Sequence, residues 1–305
     1  MNGARGGRGR AWPMAAALAG VVVWGHGGIP AEPASTFGVA PDPGRWTALA
    51  LEGRPPALAS QIAWQAVAPG VERAEVALGE SRGWRGRAIL ARLDPARVRV
   101  TLERSTRRHG LEGAWTVDSL SAGALLGLNA GQFDGGRAWG WLVVDGLELQ
   151  PPGRGPLSMA LVVDRAGGAR LVPWGQIPRI RFDGQVAWAF QSYPVLLQDS
   201  AVPEALLAPG RGVDLEHRDL RLAMGVDADG RLLLALTRYA DVAGVSLPFG
   251  PNVPEMAALM RALGAEDAVM LDGGLSAQMA LRHQDETHRW RGGRRVPLAL
   301  EFAPR

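Results

Sequence analysis

Asp272, Gly273, Gly274 and Ser276 stand in the run LDGGLS, where the apolar stretch Ala268 to Leu271 meets a carboxylate, two glycines and a hydroxyl within one short turn. A carboxylate in such a place can act as acid, base or nucleophile, and the glycines let backbone pass close to a bound molecule. LNAGQFD has the same design, an apolar run followed by a small-residue turn with polar groups on either side. There the Asn129 amide can donate to a ligand oxygen, and Asp134 can orient a polar group or join a second carboxylate. Asn, Asp and Gly are also ordinary turn formers, so spacing alone leaves turn capping and catalysis both open.

The elements around these residues follow from periodicity. Ala268 to Leu271 reads as a buried strand that delivers Asp272 to a sheet edge, and the segment from Ser276 onward as a helix start. Upstream, Asn252 and Glu255 have capping-box spacing, Pro254 suits a first turn, and Val253, Met256, Ala257, Met260 and Leu263 recur at helical intervals before Gly264. VERAEVALGE, VRVTLER, WLVVDGLEL and MALVVDRAGGARLVP alternate as strands and hairpins, and RIRFDGQVAWAF continues that pattern. RLAMGVDADGRLLLAL reads as two strands around an Asp-Ala-Asp-Gly turn, and Thr116 to Ala124 as a brief helix. Val202 to Asp219 is an exposed, proline-containing excursion that can shape a pocket wall. Trp139, Trp141, Trp174 and Trp188 are expected mainly in core and sheet-face packing.

Composition closes several other routes. All 33 basic residues are arginine and the formal net charge is only +3, which gives no support to nucleic-acid binding. With no lysine there is no phosphate-loop lysine, and with no cysteine there is neither a disulfide nor a thiolate metal site. The five histidines are scattered and no dense carboxylate loop specifies zinc or calcium, so no cofactor or metal is expected. Ser276 and His283, if on one helix, stand about 10 Å apart along its axis, too far for a direct nucleophile–base bond.

Taken in order, LNAGQFD, SYPVLL (Ser192 to Leu197), RLAMGVDADGRLLLAL (Arg221 to Leu236) and LDGGLS resemble the phosphodiester glycosidase family over about two thirds of the chain. The resemblance implies an α+β fold of extensive mixed β-sheets with short flanking helices. It implies hydrolysis of a sugar-1-phosphodiester at the C1–O bond, with a carbohydrate phosphodiester or cell-envelope glycan as partner. By the same resemblance Asp272 and Asp134 are the catalytic candidates. Asn129, Arg221, Gly273, Gly274, Ser276 and Tyr193 are the substrate-binding ones, with Arg221 suited to grip two phosphate oxygens. Leu222 and Leu275 depart from the family pattern, which favours threonine and glycine there, and Gln132 replaces a common glycine or aromatic. The alternative is a non-catalytic, carbohydrate-binding or structural protein of the cell envelope on the same scaffold.

Arg5, Arg8 and Arg10 precede the apolar run Trp12 to Trp24, the pattern of an export signal or an N-terminal membrane anchor. The expected divisions are 1–30 for that segment, 31–56 for a Pro-rich lead-in, 57–115 for a strand-rich region packed on the core, and 116–305 for the family-like domain. An exported, periplasmic, cell-envelope or extracellular location follows. Cell fractionation with determination of the mature N-terminus is expected to place the protein outside the cytoplasm. Full-length protein confined to the cytosol would reject export.

Overall fold

The computed structural model describes residues 62–81, 84–104, 115–134, 137–208, 210, 212–239 and 250–305. The basic-apolar opening and the lead-in lie outside the described residues. In chain order the first strands are β1 (Gln65–Ala68), β2 (Val71–Ser81), β3 (Trp84–Leu93), β4 (Val98–Arg104), β5 (Leu126–Asn129), β6 (Phe133–Asp134), β7 (Arg137–Ala138), β8 (Leu142–Val144) and β9 (Leu147–Gln150). They continue as β10 (Met159–Asp164), β11 (Ala169–Pro173), β12 (Val186–Ser192), β13 (Val195–Leu197), β14 (Leu222–Asp227), β15 (Leu232–Tyr239), β16 (Ala265–Leu271), β17 (Met279–His283), β18 (Glu286–Trp290) and β19 (Leu298–Pro304). Among the described residues three α-helices interrupt them: α1 (Ile177–Ile180), α2 (Glu204–Leu207) and α3 (Val253–Ala262).

Three large sheets result, ordered β1-β2-β3-β15-β14-β16-β13, β11-β10-β12-β8-β9 and β18-β17-β5-β19-β4, besides the small hairpin β6-β7. The extensive sheets with short flanking helices are as expected. Each ladder within the three large sheets pairs antiparallel, including the long-range pairs β3 with β15 and β4 with β19. One core lies among the three sheets. Leu222 and Met224 of β14 and Leu232, Leu234 and Leu236 of β15 point into it, together with Leu126, Leu128, Phe190 and Phe302 from the other two sheets. The intervening Ala223, Leu233 and Ala235 point the other way, where Met256, Ala257, Leu259 and Met260 of α3 cover them. Burial on both faces is why these strands read as nearly continuous apolar runs.

The capping box at α3 is present. Asn252 Oδ1 accepts from the Glu255 amide and Glu255 Oε2 accepts from the Asn252 amide, each at 3.0 Å. The fully buried Glu255 carboxylate also takes a two-pronged bond from Arg218, with Nη1 at 2.8 Å and Nη2 at 2.7 Å. One residue therefore closes a helix end and pins the excursion that precedes β14.

Three local expectations give way. The helix expected after the Asp-Gly-Gly turn is a single 3-10 turn, Gly274–Ser276, followed by strand β17. Met279, Ala280 and Leu281 are buried on both faces, and β17 bonds to β5 on one side and β18 on the other, so ladder pairing outweighs local propensity. Thr116 to Ala124 holds only the 3-10 turn Val117–Ser119. The RIRF run begins inside α1 and becomes a strand only at Val186.

Glu255→Ala removes the buried partner of an arginine together with half of the capping box. Such a change is expected to cost about 3–5 kcal/mol, measured by denaturant unfolding. A loss below about 1 kcal/mol would mean that the pair behaves as a surface pair does.

Candidate active site

β16 carries the chain to Leu271, and Asp272 follows at its end. The Asp272 amide donates to the Gly131 carbonyl at 2.8 Å, and its own carbonyl accepts from Asn129 Nδ2 at 2.9 Å. Asn129 Oδ1 accepts from the Gln278 amide at 3.0 Å. Asn129 is wholly buried, with both ends of its amide satisfied. Expected to meet a substrate oxygen, it instead fixes the backbone on both sides of the turn, because a buried amide finds its partners in the protein.

The Asp272 carboxylate is held from one side. Arg294 Nη2 donates to Oδ2 at 3.0 Å while Arg294 Nε donates to Ser276 Oγ at 2.6 Å. Ser276 is buried, so its hydroxyl serves as a rest for Arg294 rather than a ligand contact. Arg294 is itself placed by its backbone: its amide donates to the Leu275 carbonyl at 3.1 Å, and its carbonyl accepts from Gln278 Nε2 at 3.1 Å.

Gly273 and Gly274 let this turn press against the segment leading into β14. A Cβ at Gly273 would stand 2.7 Å from the Leu220 carbonyl oxygen, and at Gly274, where φ is +54°, 2.7 Å from Asp219 Oδ2. The absence of side chains is therefore what brings Asp272 beside Arg221. The Arg221 guanidinium donates through Nε to the Pro251 carbonyl at 3.2 Å and through Nη2 to the His217 carbonyl. Among the described residues no carboxylate forms an ion pair with it. Burial pushes its pKa down, and the nearby charges of Asp219 and Asp214 push it back up. It remains a cation, which suits an incoming anion.

These groups meet in an open cleft of about 300 Å³ lined by Gln132, Tyr193, Asp214, His217, Asp219, Arg221, Asp272 and Gly273, with Val253 and Met270 beneath. A neighbouring hollow of about 480 Å³ shares Tyr193, Gly212 and Val213 with it and adds Trp139, Arg154 and Ser158. Trp139 meets Tyr193 edge to face, with ring centroids 4.6 Å apart.

Of the expected residues, Asp272, Gly273, Arg221 and Tyr193 thus share one cleft, with Gly274 behind the turn. Asp134 is exposed on the β6-β7 hairpin opposite Arg137 and is not among the lining residues. Leu222 points into the apolar core and Leu275 is exposed outside the cleft lining, so neither departure from the family pattern faces the cleft. Arg294 carried no sequence signal, and Gln278, in the segment expected to start a helix, had no feature that singled it out. Asp219 is the last residue of the expected exposed excursion, and it reaches the cleft from the irregular stretch ahead of β14. Among the described residues no group of three or more His, Cys, Asp or Glu is placed to hold a metal.

Residues 122–302 match the phosphodiester glycosidase family model. The fold is similar to the catalytic domain of zebrafish N-acetylglucosamine-1-phosphodiester alpha-N-acetylglucosaminidase in a state auto-inhibited by its pro-peptide. That likeness has a TM-score of 0.60 and 18% identity, covering 82% of this chain and 91% of the other. A hypothetical protein from Synechocystis shares the fold with a TM-score of 0.50 and 16% identity, over 80% of this chain and 64% of the other. No curated protein matches the chain.

Asn129→Ala would orphan the Asp272 carbonyl and the Gln278 amide. Each buried group left without a partner is expected to cost about 1–3 kcal/mol, read by thermal or denaturant unfolding. Wild-type stability in this variant would show that the clamp is idle.

Proposed function

Because the chain belongs to the phosphodiester glycosidase family, we propose that its cleft hydrolyses a sugar-1-phosphodiester at the glycosidic C1–O bond, releasing a reducing sugar and a phosphomonoester. The observation that carries this reading is the meeting of Arg221, free of any carboxylate partner among the described residues, with Asp272 in one accessible cleft. Arg221 takes the phosphate oxygens and neutralises the charge that grows on the leaving group as C1–O breaks. Asp272, clamped at its backbone and held at Oδ2 by Arg294, offers its remaining oxygen to the sugar side. There a carboxylate can activate water, form a glycosyl ester or balance positive charge at C1. Substrate enters from a carbohydrate phosphodiester or cell-envelope glycan, in keeping with the export-like opening of the chain.

The test is release of reducing sugar and phosphomonoester from a panel of sugar-1-phosphodiesters by the wild type. Folded Asp272→Asn is expected to lose at least about two orders of magnitude in turnover. Arg221→Lys keeps the charge but loses the planar fork, so it is expected to lose turnover or binding with little change in folding. Sugar binding by the wild type without product would favour the non-catalytic scaffold, and unchanged kinetics in either variant would remove that residue's role.

A further inference from the structure

Glycoside cleavage by carboxylates usually needs two of them, and the cleft supplies a second that is not Asp134. We propose that Asp219 is the proton donor to the leaving phosphate, with His217 restoring that proton from solvent. This rests on the phosphodiester reading above. Asp219 lines the same cleft as Asp272 and Arg221. Its Oδ1 accepts from the Leu220 amide at 2.8 Å, which fixes the side chain. Its Oδ2 faces the bare Gly274 backbone, 3.7 Å from His217 Nε2.

The two carboxylates differ in what they meet. Asp272 accepts from an arginine, whereas Asp219 has no arginine donor among the described residues and has a titratable imidazole instead. The His217 side chain is 60% exposed and its carbonyl accepts from Arg221, so its imidazole is open to solvent while lying beside Asp219 in the cleft. The charged groups around Asp219 are His217 and Arg221 on its own segment, Asp214 from the excursion and Asp272 from the end of β16. Arg218 is turned to Glu255 of α3. A carboxyl at this place in the cleft can donate its proton to a phosphate oxygen held by Arg221.

The step balances. Water oxygen bonds to C1 and gives a proton to Asp272, while the C1–O bond breaks with its electron pair going to the phosphate oxygen. The Asp219 proton passes to the departing phosphomonoester, whose second pKa of about 6 lets it accept one. Asp219 is then reprotonated through His217, and Asp272 returns its proton to water.

The experiment measures kcat/KM against pH on the sugar-1-phosphodiester panel for the wild type, Asp219→Asn and Asp219→Glu. Asp219→Asn keeps an acceptor for the Leu220 amide, and circular dichroism checks its fold. A required acid gives the wild type a falling alkaline limb. Asp219→Asn is expected to lose about 10²-fold and to lack that limb, whereas Asp219→Glu retains it. His217→Ala is expected to turn over more slowly and to recover with added imidazole; no recovery removes the relay. Wild-type kcat/KM in Asp219→Asn, or a slower variant with the limb unmoved, overturns the assignment while leaving hydrolysis intact. A wild type that releases no reducing sugar overturns hydrolysis and the assignment together.

Discussion

The buried amide of Asn129 is the constraint on which the site depends. It sits at the end of β5, in the five-stranded sheet that contains β17 and β19, yet it bonds to the carbonyl of Asp272 at the end of β16 in the seven-stranded sheet. Its other end holds the Gln278 amide just before β17. With the Asp272 amide bonded to Gly131, the strand-to-turn backbone is fixed from both sides. The two sheets are thereby tied together where the catalytic candidate stands. Directional bonds in a dry interior do this better than packing, since an unmade one there is costly.

A second set of anchors uses arginine, the sole basic residue of the chain. Arg238 of β15 donates through Nη2 to the carbonyls of Ala277, Trp290 and Arg291, and so ties the seven-stranded sheet to the loop that carries Arg294. Burial pushes its pKa down to about 10, which leaves it charged near neutrality. Arg218 fastens the other wall through Glu255. Arg221, like Arg238, bonds to main-chain carbonyls, which orient its guanidinium without cancelling its charge, and of the three it alone is among the residues lining the cleft. An arginine held in that way is ready for an anion with little reorganisation.

The departures from the family pattern acquire meaning only in this setting. A hydroxyl absent at Leu222 would be a loss if that side chain faced the cleft, but β14 turns it into the core beside Leu271 and Leu236. The Arg221 amide receives its hydroxyl partner from Thr237 on the neighbouring strand instead, at 2.8 Å. The side chain of Leu222, the first residue of β14, is in the core, whereas Arg221 just before it lines the cleft.

Periodicity and turn chemistry by themselves determined the strands of residues 65–104, the hairpins of β8 to β11, the pair β14 and β15, the capped helix α3 and the strand-end position of Asp272. These are local properties, set by side-chain alternation, cap geometry and glycine. Family-like blocks in order also named Arg221, Asp272 and Tyr193, which share the cleft. What only the tertiary structure decided depends on partners distant in the chain. β17 became a strand because β5 and β18 flank it, against a local pattern that reads as a helix. Asn129 became a clamp because burial sealed it, and Asp134 lay outside because its hairpin carries it to solvent. Arg294 reached Asp272 from a loop more than twenty positions onward. Asp219 entered the cleft because the glycine turn leaves room for its carboxylate. Contacts of that range depend on how three sheets close on one core, which no window of sequence encodes.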